Sequence, residues 1–276
     1  MPSIPIPVNH LFAPLDKKLL ELLRSLEPEQ WNRYTVARKW RVHDVAAHLL
    51  DGNLRDISLY RDRHQVAPAQ APGNYRELVD YLNTLNADWV QAFARVSPQM
   101  IIQMLAETGP VFTKLITSLS PFDRAVYSVA WAGEQESQNW FHVARQYTEK
   151  WIHQQQIRDA VNSKDLLAPE FFVPAMEVFM RALPYTFRDT EAETGAQVRV
   201  DIDGVPGASW AIQLTENGWQ HSEVSSESNA TVNIDPDTAW KLFSRSMIPE
   251  EARKLVHIEG DERLGRQVLE MVSVMA

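Results

Sequence analysis

The chain contains no cysteine, which removes disulfides, thiolate metal ligands and a protein-borne thiol nucleophile, and fits a reducing compartment. Any sulfur chemistry must therefore use an external thiol. Positive charge is also in deficit. With 27 Lys and Arg against 36 Asp and Glu the net charge is −9, so no overall field draws the protein to a phosphate backbone or an anionic lipid surface. Neither nucleic acid nor membrane is an expected partner. No segment approaches the roughly 18 uninterrupted apolar residues of a membrane span. The N-terminal MPSIPIPVNHLFAP is broken by four prolines and has no basic flank ahead of its apolar residues, so it does not read as a secretion signal. These absences lead to the expectation of a soluble, cytoplasmic protein whose partners are small molecules.

Glycine is scarce too, and its placement is informative. Of 10 glycines only Gly52, Gly73, Gly109 and Gly133 precede residue 190, whereas six crowd the last third. The 276 residues are 45% hydrophobic, enough for a sizeable core in each of about two domains. Before residue 190 the apolar residues recur at helical spacing: Leu19, Leu20, Leu22, Leu23 and Leu26; then Val42, Val45, Ala46, Leu49 and Ile57; then Leu78, Tyr81, Leu82, Leu85 and Trp89. Asn74 with Glu77 reads as a capping box, and Ser97-Pro98 as an N-cap followed by proline in the first turn. Trp140, Ala144, Tyr147 and Trp151 predict a long helix over about 137–161, and 169–187 reads as a further apolar helix. From Ala196 the period becomes two, with Val198, Val200 and Ile202, then Trp210, Ile212 and Leu214, then 231–234 as strands. A helix is expected after Asp235-Pro236, a short strand at 256–258 and a last helix from Asp261. The expected division is a helical bundle over 1–163 and an α+β domain over 164–276, with the boundary somewhere in 162–195. No G-x-G-x-x-G or phosphate-binding loop occurs, so no nucleotide cofactor is indicated.

Glu149 and His153 stand four apart on the long helix, hence on one face and one turn apart. His48 lies on the second helix beside Asp44, Asp51 and Arg55. If the two helices adjoin, two imidazoles and a carboxylate converge, a ligand set for zinc or a similar divalent metal with a position left open for catalysis. His142 and Asp44 are candidates to hydrogen-bond and orient those ligands. Ordinary solvated helix faces would show the same spacing, because Glu-x-x-x-His pairs are common. His10, His43 and His64 read as surface residues, the tryptophans as bundle core rather than an aromatic cage, and His221-Ser222 carries no nucleophile-elbow pattern.

The segment Trp40-Arg-Val42-His-Asp44-Val45-Ala-Ala47-His48-Leu49, together with Glu149 and Trp151-Ile152-His153, resembles the W-x-V-x-D-[VL]-x-A-H-L and E-x-x-x-H segments of the mycothiol-dependent maleylpyruvate isomerase family, within the DinB-like four-helix superfamily. The stretch from Ala230-Thr-Val-Asn-Ile234 through Ile258-Glu-Gly260-Asp261 resembles the sterol-carrier-like (SCP2-like) domain that many members append. The resemblance implies a DinB-like four-helix bundle followed by an α+β domain, a divalent metal held by His48, Glu149 and His153, and a low-molecular-weight thiol such as mycothiol at the open position. Two departures stand out: Gln155-Gln156 where the family commonly has Trp-Asp, and Ser244-Arg245 where it has Gly-Arg. The expected chemistry is a metal that lowers the thiol pKa from about 8.5 to below neutrality. The resulting thiolate would add to a small electrophilic acid, giving isomerisation or S-transfer. Arg55, Arg145 and Arg245 are candidate clamps for the substrate carboxylate. Two other readings share these features: a hydrolase using metal-bound hydroxide on the same ligands, and a lipid or small-molecule binding protein without catalysis.

Overall fold

The computed structural model describes residues 3–37, 39–66 and 72–274. The chain forms two compact units, Met1–Asp123 with Gln146–Leu166 and Arg124–Arg145 with Leu167–Ala276. The division is discontinuous and passes through a helix between Arg145 and Gln146, whereas the sequence suggests a single boundary within 162–195.

The first unit is a helical bundle. Helix α1 spans Phe12–Ser25, α2 Val42–Tyr60, α3 Tyr75–Phe93, α4 Pro98–Thr117 and α5 Asn139–Ala160. Phe12, Leu15, Leu19 and Leu23 are the fully buried residues of α1, spaced so that they share one face. Burying each of these contributes about 1.5–3 kcal/mol. Leu19 and Leu23 join a core with Val42, Val45, Ala46, Leu49 and Leu50 of α2, Ile101 and Leu105 of α4, and Ile157 of α5. Helix α5 is anchored to α1 by the Phe12–Tyr147 ring contact at 6.0 Å and by Gln154 Nε2 donating to the Leu15 carbonyl at 3.0 Å. Lys150 Nζ lies 4.4 Å from the centre of the Phe112 ring on α4 and pairs with Asp16 at 2.8 Å. Thus α1, α2, α4 and α5 form the four-helix core.

Helix α3 packs beside it through α2, with Trp89 Nε1 donating to the Ala47 carbonyl at 2.8 Å. Only Val79 of α3 is fully buried, and Leu85, expected on its inner face, is exposed. The Asn74–Glu77 cap forms as expected on one side, with Asn74 Oδ1 accepting from the Glu77 N–H at 3.0 Å. The Glu77 carboxylate turns to the Gly73 N–H at 2.7 Å and the Asn74 side-chain amide at 2.8 Å.

In the second unit the expected helix over 169–187 is two, α6 at Pro169–Met180 and α7 at Leu183–Thr186. Pro184 has no N–H to offer the Met180 carbonyl and its ring would clash there, which disfavours continuing α6 past Met180. The sheet has strands β1 Gln197–Ile202, β2 Ser209–Thr215, β3 Gly218–Ser222, β4 Ala230–Ile234 and β5 His257–Gly260, in the order β3-β2-β1-β4-β5. β1 and β4 run parallel in the register Val200↔Val232, and the other neighbours are antiparallel. Val198, Val200 and Ile202 point to the core, while Arg199 and Asp201 share the opposite face, bonded to each other at 2.8 Å. The edge strand β3 is absent from the sequence-based expectation.

Helix α8 (Pro236–Phe243) starts at Asp235, whose carboxylate accepts from the Asp237 and Thr238 N–H groups, with Pro236 in the first turn. After the short α9 (Pro249–Ala252), α10 (Glu262–Val268) is capped in the same way by Asp261. Gly260 adopts φ +81°, and a side chain there would run into the Asn229 carbonyl, so the β5–α10 turn requires glycine. Among the described residues no helix is long and apolar enough to cross a membrane.

Candidate active site

The buried faces of α2 and α5 determine which side chains stand at their flanks. On α2, Val45, Ala46, Leu49 and Leu50 are buried and His48 lies beside them; on α5, Tyr147 and Trp151 are fully buried, leaving Glu149 and His153 on an adjoining, partly exposed strip. The helices adjoin there. The His48 and His153 rings are 4.6 Å apart between centroids and nearly perpendicular at 85°, and His153 Nε2 is 3.6 Å from Glu149 Oε2. The Trp40 ring flanks both imidazoles, at 4.8 Å from His48 and 6.5 Å from His153. Trp40 is therefore a wall of the site rather than the plain core expected of it. Its place in the motif was visible in the sequence, but its role is set by the helix packing.

Burial, reinforced by the charges of His153 and Arg55, holds the His48 pKa well below the usual 6.5. The ring is neutral near pH 7, and its Nδ1 atom is buried without a hydrogen-bond partner among the described residues. His153 Nδ1 donates to Gln156 Oε1 at 3.0 Å. With the proton on Nδ1, a neutral His153 directs its Nε2 lone pair toward the Glu149 carboxylate. Two electron-rich atoms then face each other at 3.6 Å, an arrangement satisfied by a proton on Nε2 or by a cation between them.

The donor types, the uncommitted neutral imidazole and this facing pair fit a divalent metal. Among the described residues no three such side chains already close around a metal position.

Several assignments change. Asp44 does not orient His48. Its carboxylate accepts from the Arg41 N–H at 2.8 Å and caps the start of α2, the usual work of an acidic residue in a first turn. His43 is not a surface residue: it is half-buried, bonded to the Val96 carbonyl at 2.8 Å and edge-on to Trp31. His142 is fully buried in the second unit, where Arg145 donates to its Nδ1 at 3.1 Å. Burial, with the Arg145 charge, pushes its pKa down to about 3. An unfolded chain would take up that proton near pH 6.5, so stability is full above 6.5 and falls by about 1.4 kcal/mol per pH unit toward 3. Comparing denaturation midpoints of the protein and His142→Gln over this range should show a shallower acid slope in the variant.

Of the three candidate clamps, Arg55 is in the unit that holds the histidines. It lies one turn beyond Asp51, with which it pairs at 3.0 Å, and its charge reaches His48. Arg145 is engaged with His142, and Arg245 is exposed in the turn after α8.

Comparison with known proteins decides the family. Residues 12–158 match the model of the mycothiol maleylpyruvate isomerase N-terminal domain, which is more than half of the chain. The chain belongs to this family. No curated protein matches it significantly. Two crystal structures of the mycothiol-dependent maleylpyruvate isomerase, one of them a histidine-to-alanine mutant, superpose with TM-scores of 0.56 and 0.55 at 7% and 8% identity. Each alignment covers 94% of this chain and 96% of the other. The fold is thus shared over both the bundle and the α+β region. The UbiJ-SCP2 ubiquinone synthesis protein covers 36% of the chain with a TM-score of 0.26, too slight to carry an assignment.

Within the mycothiol maleylpyruvate isomerase family pattern, the departures acquire a geometry. Gln156 is buried and supplies the acceptor that orients His153, while Gln155 is buried with its Oε1 unpartnered among the described residues. Arg245 has φ +56° and ends α8 in the left-handed conformation that favours glycine. Arg245→Gly should leave stability unchanged or raise it by about 1 kcal/mol, read from the denaturation midpoint. A loss of activity in this variant would then report the guanidinium itself.

Proposed function

We propose that the protein is a metal-dependent enzyme that uses a low-molecular-weight thiol, mycothiol or a relative, for isomerisation or S-transfer on a small electrophilic acid. The observation that carries this reading is the convergence of His48, His153 and Glu149 in a family member with no thiol of its own. His48, Glu149 and His153 would hold the divalent metal, with zinc the first candidate. When bound, the metal supplies Lewis acidity that keeps an external thiol ionised at neutral pH.

The chain's own residues do the positioning. Burial keeps His48 neutral, so its lone pair is available near pH 7. Gln156 holds the proton of His153 on Nδ1 and thereby turns Nε2 toward Glu149. Trp40 covers both rings on one side, excluding water and limiting their rotation. Of the three candidate clamps Arg55 is the one that shares a unit with this group and whose charge reaches His48, and as the proposed clamp it would exchange its Asp51 contact for a substrate carboxylate.

Gln156 offers a test through binding alone. Gln156→Leu should weaken zinc affinity about 10–100-fold in a calorimetric titration, whereas Gln156→Glu should retain or strengthen it. Turnover of cis-enoyl or halogenated acids should need an added thiol, rise with pH until that thiol is ionised, and then level off. Chelation should abolish it. Equal turnover without thiol would replace this reading by a metal-hydroxide hydrolase. An apolar ligand bound with no turnover at all would replace it by a carrier.

A further inference from the structure

The second unit contains a basic group that the proposed chemistry leaves unused. Arg181, half-buried at the C-terminal end of α6, lies over the Trp140 and Phe141 rings, with its guanidinium carbon 5.7 and 5.9 Å from their centres. Those rings are themselves nearly parallel, 17° apart and 5.1 Å between centroids, so they form an aromatic stack beside the guanidinium. Among the described residues the guanidinium makes no hydrogen bond and has no carboxylate within ion-pair distance. The helix terminus accounts for a positive charge at this position. It does not account for a fork of five donors left unfilled beside an apolar wall.

The geometry points to Arg181, Trp140 and Phe141, all of the second unit, as a binding site for a small planar carboxylate. A carboxylate matches the guanidinium fork with two parallel hydrogen bonds, and a flat acid gains contact with the ring edges and faces. Two neighbours shape the selectivity. Glu177, one helical turn before Arg181, is half-buried; burial raises its pKa while the Arg181 charge pulls it back. Its negative charge disfavours a dianion, so the site suits a monocarboxylate. His221 on β3, paired with Ile212 across the strands, also feels Arg181. Burial foremost, with that charge, brings its pKa to about 4, so near pH 7 it adds no competing cation.

Calorimetric titration of the full-length protein with benzoate, and separately with inorganic phosphate, tests the inference. Saturable benzoate binding is expected, weakened at least about tenfold by Arg181→Gln and by an intermediate factor by Arg181→Lys, which keeps the charge but loses the fork. Glu177→Gln should tighten binding, and phosphate should bind more weakly than benzoate in the unsubstituted protein. Thermal midpoints show whether each variant is folded, and Arg181→Lys serves if Arg181→Gln is not. Absence of saturable binding, undiminished binding in the folded Arg181 variants, or tighter binding of phosphate than benzoate would each overturn the assignment.

Discussion

His48→Ala, Glu149→Ala and His153→Ala should each lower divalent-metal affinity by more than about a hundredfold and reduce thiol-dependent turnover to background. Each removes one of the three proposed ligands, a larger loss than the 10–100-fold typical of removing a ligand's own hydrogen-bond partner. The fold should survive. The stripe that anchors α5 consists of Tyr147 and Trp151, both with 0% exposure, while Glu149 and His153 remain partly exposed at its flank. Metal content of purified variants and their denaturation midpoints separate the two effects. His43→Ala, which loses a bond to the Val96 carbonyl and nothing at the site, should retain full metal content.

The largest effect on stability is expected at the opposite edge of α5. The Arg158 side chain is 1% exposed. It donates to Asp165 at 2.7 Å, to Gln154 Oε1 at 3.2 Å and to the Lys18 carbonyl at 3.0 Å. Burial alone would raise the Asp165 pKa. Hydrogen bonds from Arg158 and Ser163, with the charges of Arg158 and Lys18, outweigh it and bring the value to about 2. Asp165→Ala strands a buried guanidinium and should cost about 3 kcal/mol in chemical denaturation, whereas breaking the exposed Lys17–Glu21 pair should cost less than about 1 kcal/mol. Adding Arg158→Met to Asp165→Ala should recover much of the loss, since the uncompensated charge is then gone. The Asp165 contribution is fully present above its unfolded value near 3.9 and is lost as pH falls through about 2.

Particular residues explain how far the sequence could be read. The Trp140, Ala144, Tyr147 and Trp151 spacing marks α5 because residues three and four apart share a helix face, and the alternation of Val198, Val200 and Ile202 marks the sheet because residues two apart share a strand face. Strand β3 escapes because it is a short edge strand with one large apolar residue, Trp219. The break between α6 and α7 was legible in Pro184, whose effect on the Met180 carbonyl is local.

The pairing of His48 with Glu149 and His153 depends on which helix faces adjoin, and spacing within each helix states only that they are able to meet. Sequence also shows Gln156 as a departure from a motif, while its function appears only once its amide is found 3.0 Å from His153. His43 reads as a surface residue and Asp44 as a partner of His48 because their actual partners, the Val96 carbonyl and the Arg41 N–H, are backbone atoms that no side-chain pattern announces.

X-ray absorption spectroscopy at the metal edge of full-length, zinc-loaded protein tests the central claim most directly. The expected result is one zinc per chain, with two imidazole nitrogens and one carboxylate in its coordination shell and at least one further position taken up by sulfur when a low-molecular-weight thiol is added. Substoichiometric zinc, a shell without imidazole, or no sulfur contribution at saturating thiol would contradict it.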